Sequence, residues 1–256
     1  VERPISRPSS QAPGVRPREE NSPQGRETPP RAARQRWRLY LTRPAASQPG
    51  DHSDGTRGWT SLLTAAGLPL AGAGTGRGSI VPAAPLPLGM AGEREVVDVI
   101  LAERLPTASV REAVRAALAP DWTLVALHDV WLGAPAAPAA VVAADYRVLV
   151  TGPSRPVLES AVSELLAAAA LHRERRREKK ATKYDLRPLI LGLAVRDCGP
   201  GGLMLEMRLR HGPDAVGRPE EVVAALGEPP APPLDARLAV STIVRERLIL
   251  ADEDLG

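Results

Sequence analysis

Between Trp37 and Leu250 the chain passes twice through one order of strand- and helix-forming segments, and that repetition limits its possible folds more than any other feature. In the first pass, Trp37–Leu41 alternates apolar and polar residues and predicts a strand. Trp59–Ala66 predicts a short helix stopped by Gly67-Leu68-Pro69. A weak strand around Ser79–Ala84 precedes a stronger one at Glu95–Leu101. Ser109 opens a helix through Leu118, with Glu112 three residues on in the position that completes a capping box. Trp122–Leu132 then alternates as a further strand.

The second pass begins with a strand at Asp145–Val150 and an Ala/Leu-rich helix from Pro156 through Leu171, whose extension carries a basic run. Two strands, Arg187–Val195 and Leu203–Arg210, flank the turn Cys198–Gly202. Pro219–Leu226 has Pro in its first turn followed by two acids, as a helix start favours. Arg237–Leu250 closes the series as one strand or two short ones. Two β-α-β-β-α-β units predict an α+β protein of tandem ferredoxin-like domains, each an antiparallel sheet with helices on one face. The expected divisions are a tail over 1–34, a first domain over 35–135 and a second over 136–256, hinged at the Ala/Pro-rich Gly133–Ala140.

Composition supports a globular chain, with 43% hydrophobic and 25% charged residues among 256. Aromatics are only 3% and Phe is absent, so Leu, Val and Ala must build the core. Residues 1–34 hold seven prolines and seven arginines with scarcely any bulky apolar residue, which predicts a disordered tail or linker. It has no apolar segment of the kind a secretion signal needs. The chain opens on Val1, which reads as a fragment or an alternative start. No apolar run reaches the roughly 18 residues of a membrane span, so a cytoplasmic location is expected. The single Cys198 excludes an intramolecular disulfide and a cysteine-rich iron–sulfur or metal site within the chain. No cofactor is expected.

The net charge of +3 is unevenly spread. Leu171–Lys183 carries seven Lys/Arg against two Glu, whereas Pro219 to the end carries eight Asp/Glu against three Arg. Such segregation marks either an interaction surface for nucleic acid or an acidic partner, or a solvated helix face.

Several segments together resemble a known family. Pro85-Leu-Pro-Leu-Gly89 with the acidic strand Glu95–Leu101, Lys183-Tyr-Asp-Leu-Arg-Pro-Leu-Ile190, Arg218-Pro-Glu-Glu-Val222 and Ala66-Gly-Leu-Pro-Leu70 are similar to the radical-SAM-associated proteins of the DUF2344 family. The resemblance covers roughly residues 36–250. It singles out Asp185, Arg187, Arg218 and Pro219 as family-motif positions and implies a radical SAM protein as partner. Around the first helix, His52, Asp54, Arg57 and Trp59 match the family's pattern, but their neighbours have become Gly, Ser and Thr. The family's following loop is reduced to the glycine-rich Gly72–Ser79.

His52 beside Asp54 could serve as a general base or begin the first helix as a capping pair. The other histidines, His128, His172 and His211, sit on separate elements without ligand spacing, so no metal site is expected. Gly72–Ser79 could offer backbone N–H groups to a phosphate with Arg77 supplying a charge, but it lacks the Lys-Ser/Thr ending of a phosphate-binding loop and reads as a plain flexible loop. The basic run offers Arg175, Arg176, Lys179, Lys180, Lys183 and Arg187 as phosphate contacts, with Tyr184 the one aromatic nearby to stack on a base.

Three functions follow as expectations. The first is a non-catalytic adaptor that presents RNA, tRNA or ribosomal RNA, to a radical SAM enzyme. The second is an RNA-processing endonuclease like those that cleave CRISPR repeats, with His52 as general base on a 2′-hydroxyl, Asp54 beside it, and Arg57 or Arg77 stabilising the phosphorane. The third is a protein-binding module whose basic run docks an acidic surface.

Overall fold

The computed structural model describes residues 32–45, 56–72, 78–87, 89–177, 180–199, 202–212, 215–229 and 231–251. The expected tail thus lies outside the described residues, apart from its last three positions.

β1 (Gln35–Arg43), α1 (Thr56–Ala65), β2 (Ile80–Pro82), β3 (Ala91–Leu101), α2 (Thr107–Ala117) and β4 (Thr123–Val130) form the first half. A short helix, α3 (Ala137–Ala140), leads into β5 (Val141–Thr151) and α4 (Arg155–Ala167). The strands β6 (His172–Arg177) and β7 (Lys180–Asp185), a single 3-10 turn at Arg187–Leu189, then β8 (Ile190–Asp197) and β9 (Leu203–Arg210) follow. The described chain closes with α5 (Pro219–Leu226) and β10 (Ala239–Leu250). The result is a mixed α+β fold with a mostly antiparallel sheet.

Strand pairing runs β4-β1-β3-β10-β5-β9-β8, with β2 also on β3. Two separate four-stranded sheets were the expectation, and here the structure differs. β10 lies parallel to β3 through Val244–Ala91 and Arg245–Gly92, which fuses the strands of both halves into one sheet. The physical reason is that β2 is only three residues long and covers only Val97–Val99 of β3. The other end of β3 is left with unpaired backbone groups, and β10 satisfies them.

Helices α1 and α2 cover Trp37, Leu39 and Leu41 of β1 and Val97, Val99 and Leu101 of β3. Trp59 meets Trp122 edge to face at 5.3 Å in the same cluster. A second, larger cluster joins α4 and α5 to Tyr146, Val148, Val150, Leu205, Met207 and Leu209. Tyr40 and Val96 of the first half belong to that second cluster, so β1 and β3 bury both of their faces. At such fully buried positions, truncating Leu205 to Ala should cost about 2–5 kcal/mol.

The Ala/Pro-rich segment 133–140 is bonded to β1 and β3. Arg36 donates to the carbonyls of Leu132 and Ala134 at 2.9 and 2.8 Å, and Arg38 to that of Pro135 at 3.2 Å. Asp98 accepts from the Ala137 N–H at 2.8 Å while pairing with Arg38 at 2.8 Å. Gly152, at φ +116°, turns the chain from β5 to α4 where a Cβ would lie 2.1 Å from the Arg237 carbonyl oxygen, so only glycine fits.

The basic run is also folded differently from expectation. It was expected on an extension of the helix beginning at Pro156, but α4 stops at Ala167 and the run forms the β6–β7 hairpin, a two-stranded sheet of its own. Arg, Glu and Lys all favour helix by intrinsic propensity. Extended backbone wins because it points the alternate residues Arg173 and Arg175 at Glu228 and Glu221.

Candidate ligand cavity at the root of a basic hairpin

A cavity of about 920 Å³ opens where the β6–β7 hairpin meets α5 and the segment before β3. Its walls come from segments far apart in sequence: Pro85, Leu86 and Pro87; Tyr184 and Leu189; Arg218, Pro219, Glu220 and Glu221. These are the residues of three motifs on which the family resemblance rests. The fold brings them to one place.

Each wall has a local cause. Asp185 closes the base of the hairpin: its Oδ1 accepts the N–H of Leu171 at 2.7 Å and that of Arg187 at 3.0 Å. Those backbone donors, Leu171 first, hold its carboxyl below the usual carboxylate range. Arg187 donates to the carbonyls of Leu166 and Ile190 at 3.0 and 3.1 Å, which anchors the hairpin to α4 and β8. Gly217 lets the segment before α5 lie against β9, since a Cβ there would come within 3.0 Å of the Leu209 Cβ and 3.1 Å of the Leu189 carbonyl oxygen. Pro219 then starts α5, whose first turn carries Glu220 and Glu221.

Arg175 crosses the mouth. Its guanidinium grips Glu221 through Nε at 3.1 Å and Nη2 at 2.9 Å, and lies 5.0 Å from the centre of the Tyr184 ring. Burial first, then a hydrogen bond to Glu221, push the Tyr184 phenol up to about 12. At the floor, Arg245 is 1% exposed and paired with Glu95 through Nε at 2.8 Å and through a second contact from Nη2. It also donates to the carbonyls of Ala84 and Pro85, both at 3.2 Å, tying the proline-rich segment to β10. Tyr146 lies beside it, its phenol pushed up by burial. His211 is held at about 4 by burial and by the charge of Arg245, so its imidazole is neutral at pH 7. Its Nδ1 is buried and has no hydrogen-bond partner among the described residues.

The cavity therefore joins a mostly apolar lining to a balanced polar set. Arg175, Arg218 and Arg245 line it together with Glu220, Glu221, two tyrosines and a neutral histidine, and Glu95, outside the lining, pairs with Arg245. Among the described residues Arg218 has no ion-pair partner, and it is exposed at the rim.

The residues expected to contact RNA are distributed unevenly. Arg175 lines the cavity and is committed to Glu221, and Arg187 serves as an anchor. Arg176 and Lys180 lie in the hairpin strands, and Lys183 is exposed opposite Glu174 in the register. Lys179 lies outside the described residues, as do His52, Asp54 and Arg77. Arg57 falls in α1. Among the described residues no cluster of three His, Cys, Asp or Glu side chains could hold a metal ion, and no helix is long and apolar enough to cross a membrane. Cys198 is exposed and free.

Sequence reasoning missed His211, Tyr146, Arg245 and the Glu95–Arg245 pair. Glu95 at least sits in a motif strand. His211 and Arg245 carry no local signal, because their partners lie in distant segments.

Two solved structures are similar to the chain at low identity. A Cbf5-Nop10-Gar1 complex matches with 7% identity and a TM-score of 0.44, over 82% of this chain and 48% of that one. An H/ACA RNP bound to a substrate RNA containing 2'-deoxyuridine matches with 10% identity and a TM-score of 0.41, over 83% and 47%. The chain thus spans about half the length of the chains it matches. No curated protein sequence matches it. Residues 76–219, more than half of the chain and including two of the motif segments that line the cavity with the first two residues of the third, Arg218 and Pro219, match the family described as uncharacterized proteins conserved in bacteria (DUF2344), and the chain belongs to that family.

Proposed function

We propose that the protein is a non-catalytic RNA-binding accessory protein that presents an RNA, tRNA or ribosomal RNA, to a radical SAM partner in the cytoplasm. The observation that carries the reading is the β6–β7 hairpin, a two-stranded ribbon outside the main sheet that concentrates seven of the chain's basic residues within Arg173–Lys183. A ribbon with a dense positive charge attracts phosphate backbones without regard to sequence. Arg175 and Arg173 are neutralised by Glu221 and Glu228, which hold the ribbon in place. Phosphate contact then falls to Arg176, Lys179, Lys180 and Lys183.

The reading places the hairpin on the second of two ferredoxin-like domains, 35–135 and 136–256. The strand orders β4-β1-β3-β2 and β10-β5-β9-β8 support that division, with the hairpin inserted between α4 and β8. The radical SAM partner rests on the family resemblance. Incubating the full chain with tRNA and with ribosomal RNA fragments, then separating bound from free RNA on native gels, tests the central claim. A shifted complex that dissolves with added salt is expected. RNA that stays unshifted at low salt, with an acidic protein captured instead, would replace this reading with a protein-docking one.

A further inference from the structure

We infer that the cavity beneath the hairpin receives one unstacked nucleotide, its base inside and its phosphate at Arg218. The inference deepens the RNA-binding reading and rests on it for the source of the nucleotide.

Size and lining come first. About 920 Å³ accommodates a nucleotide with room for water, and binding sites of this kind are mostly apolar with a few fixed polar groups. Leu86, Met90, Leu189 and Val216 supply apolar walls against which a flat ring loses water. Tyr184 offers an aromatic face of the sort on which single-stranded bases stack, and Arg175 holds it in position from one side.

Charge decides between ligand classes. Arg175 is committed to Glu221 and Arg245 to Glu95, so the lining holds one further cation, Arg218, and one further carboxylate, Glu220, a balance that disfavours both a polyanion and a free cation within it. A neutral heterocycle with donors and acceptors on one edge suits such a set. A carboxylate accepts from exocyclic amines and a guanidinium donates to ring nitrogens and carbonyls, as in base readout elsewhere. Burial also keeps the Tyr184 phenol protonated and His211 neutral at physiological pH, so their hydrogen-bonding pattern is constant there. The imidazole Nδ1, buried and unbonded among the described residues, is a polar atom for the base to meet. Arg218, exposed at the rim without an ion-pair partner among the described residues, is the cation left for a single phosphate.

The nucleotide could come from an RNA strand or from the free pool, and two probes separate these sources. The full chain is titrated with a mixed-sequence 12-nucleotide RNA at several salt concentrations, and separately with the four nucleoside monophosphates followed by saturation-transfer NMR. The variants are Ala215→Trp, which fills the cavity from its wall, and Glu221→Gln, which alters the polar edge with little change of shape. Ala215→Trp should weaken RNA binding about tenfold and lower the salt slope by only about 0.7, the single phosphate contact at Arg218, because the contacts of the hairpin remain. Glu221→Gln should change the ranking of the four monophosphates. Equal RNA binding by wild type and both variants, with no monophosphate signal, would overturn the cavity proposal while leaving the hairpin reading intact. Monophosphate binding without RNA binding would keep the cavity site and overturn the RNA reading. Binding of neither probe would overturn both.

Discussion

Arg245, which lines the cavity, and its partner Glu95 are 150 positions apart in the chain. A buried pair of this kind contributes little against a well-packed apolar replacement, yet removing one partner strands the other charge out of water. Glu95→Gln should therefore lower the unfolding free energy by about 3–5 kcal/mol, read from urea denaturation. A change below 1 kcal/mol would show that the carbonyls of Ala84 and Pro85 satisfy Arg245 unaided. His211 carries a different signature. Its folded value of about 4 lies below the model-peptide value of 6.5, so in that window the unfolded chain binds the extra proton. This histidine's contribution to stability is complete above pH 6.5 and is lost as pH falls toward 4. His211→Asn should flatten the fall in melting temperature between pH 6.5 and 4 relative to wild type. Parallel curves for the two proteins would contradict the burial assigned to the imidazole.

The hairpin is held by few contacts and is the element whose docking matters most. Arg175 joins it to α5 through Glu221 and packs on Tyr184. Arg175→Ala should release the hairpin locally, at a cost of about 1.5–3 kcal/mol for the lost charged hydrogen bonds. Hydrogen exchange across 172–185 should accelerate while β5 and β9 stay protected. Uniform acceleration over the whole sheet would mean that the hairpin is integral to the core. The basic run is also where sequence reading failed most plainly. Arg173-Glu-Arg-Arg-Arg has strong helix formers at every place, and the acids that favour extended backbone lie 46 and 55 positions away. By contrast, β1 was legible from alternation, β3 from its Val/Ile-rich run Glu95–Leu101, and α5 from Pro219 and its acidic first turn, because those signals are local. The cavity was half legible. Its motif residues could be named from the chain, but nothing local links Pro85 to Tyr184 or Arg218.

At the scale of the whole molecule, the two halves share one sheet through the β3–β10 pairing, and Tyr40 and Val96 pack into the cluster of the second half. All four tryptophans, Trp37, Trp59, Trp122 and Trp131, lie in the first half. Tryptophan fluorescence therefore reports that half alone, whereas far-ultraviolet circular dichroism reports both. Shared burial predicts coincident denaturation curves by the two probes. Separated midpoints would show that the halves unfold independently across the β3–β10 joint. The edge strand β4 leaves Val125 exposed, and Trp131 just beyond it is 79% exposed, which puts an apolar margin on the first half. The charged ribbon, by contrast, stands on the second half, and it bears the main functional claim. The most direct test is the salt dependence of RNA affinity for wild type and for the double variant Arg176→Glu/Lys180→Glu. If the ribbon contacts phosphates, the logarithm of affinity should fall linearly with the logarithm of salt concentration. The variant's slope should be smaller by about 0.7 for each contact removed, with sequence preference unchanged. Identical slopes and affinities for the two proteins would contradict the assignment of RNA binding to the hairpin.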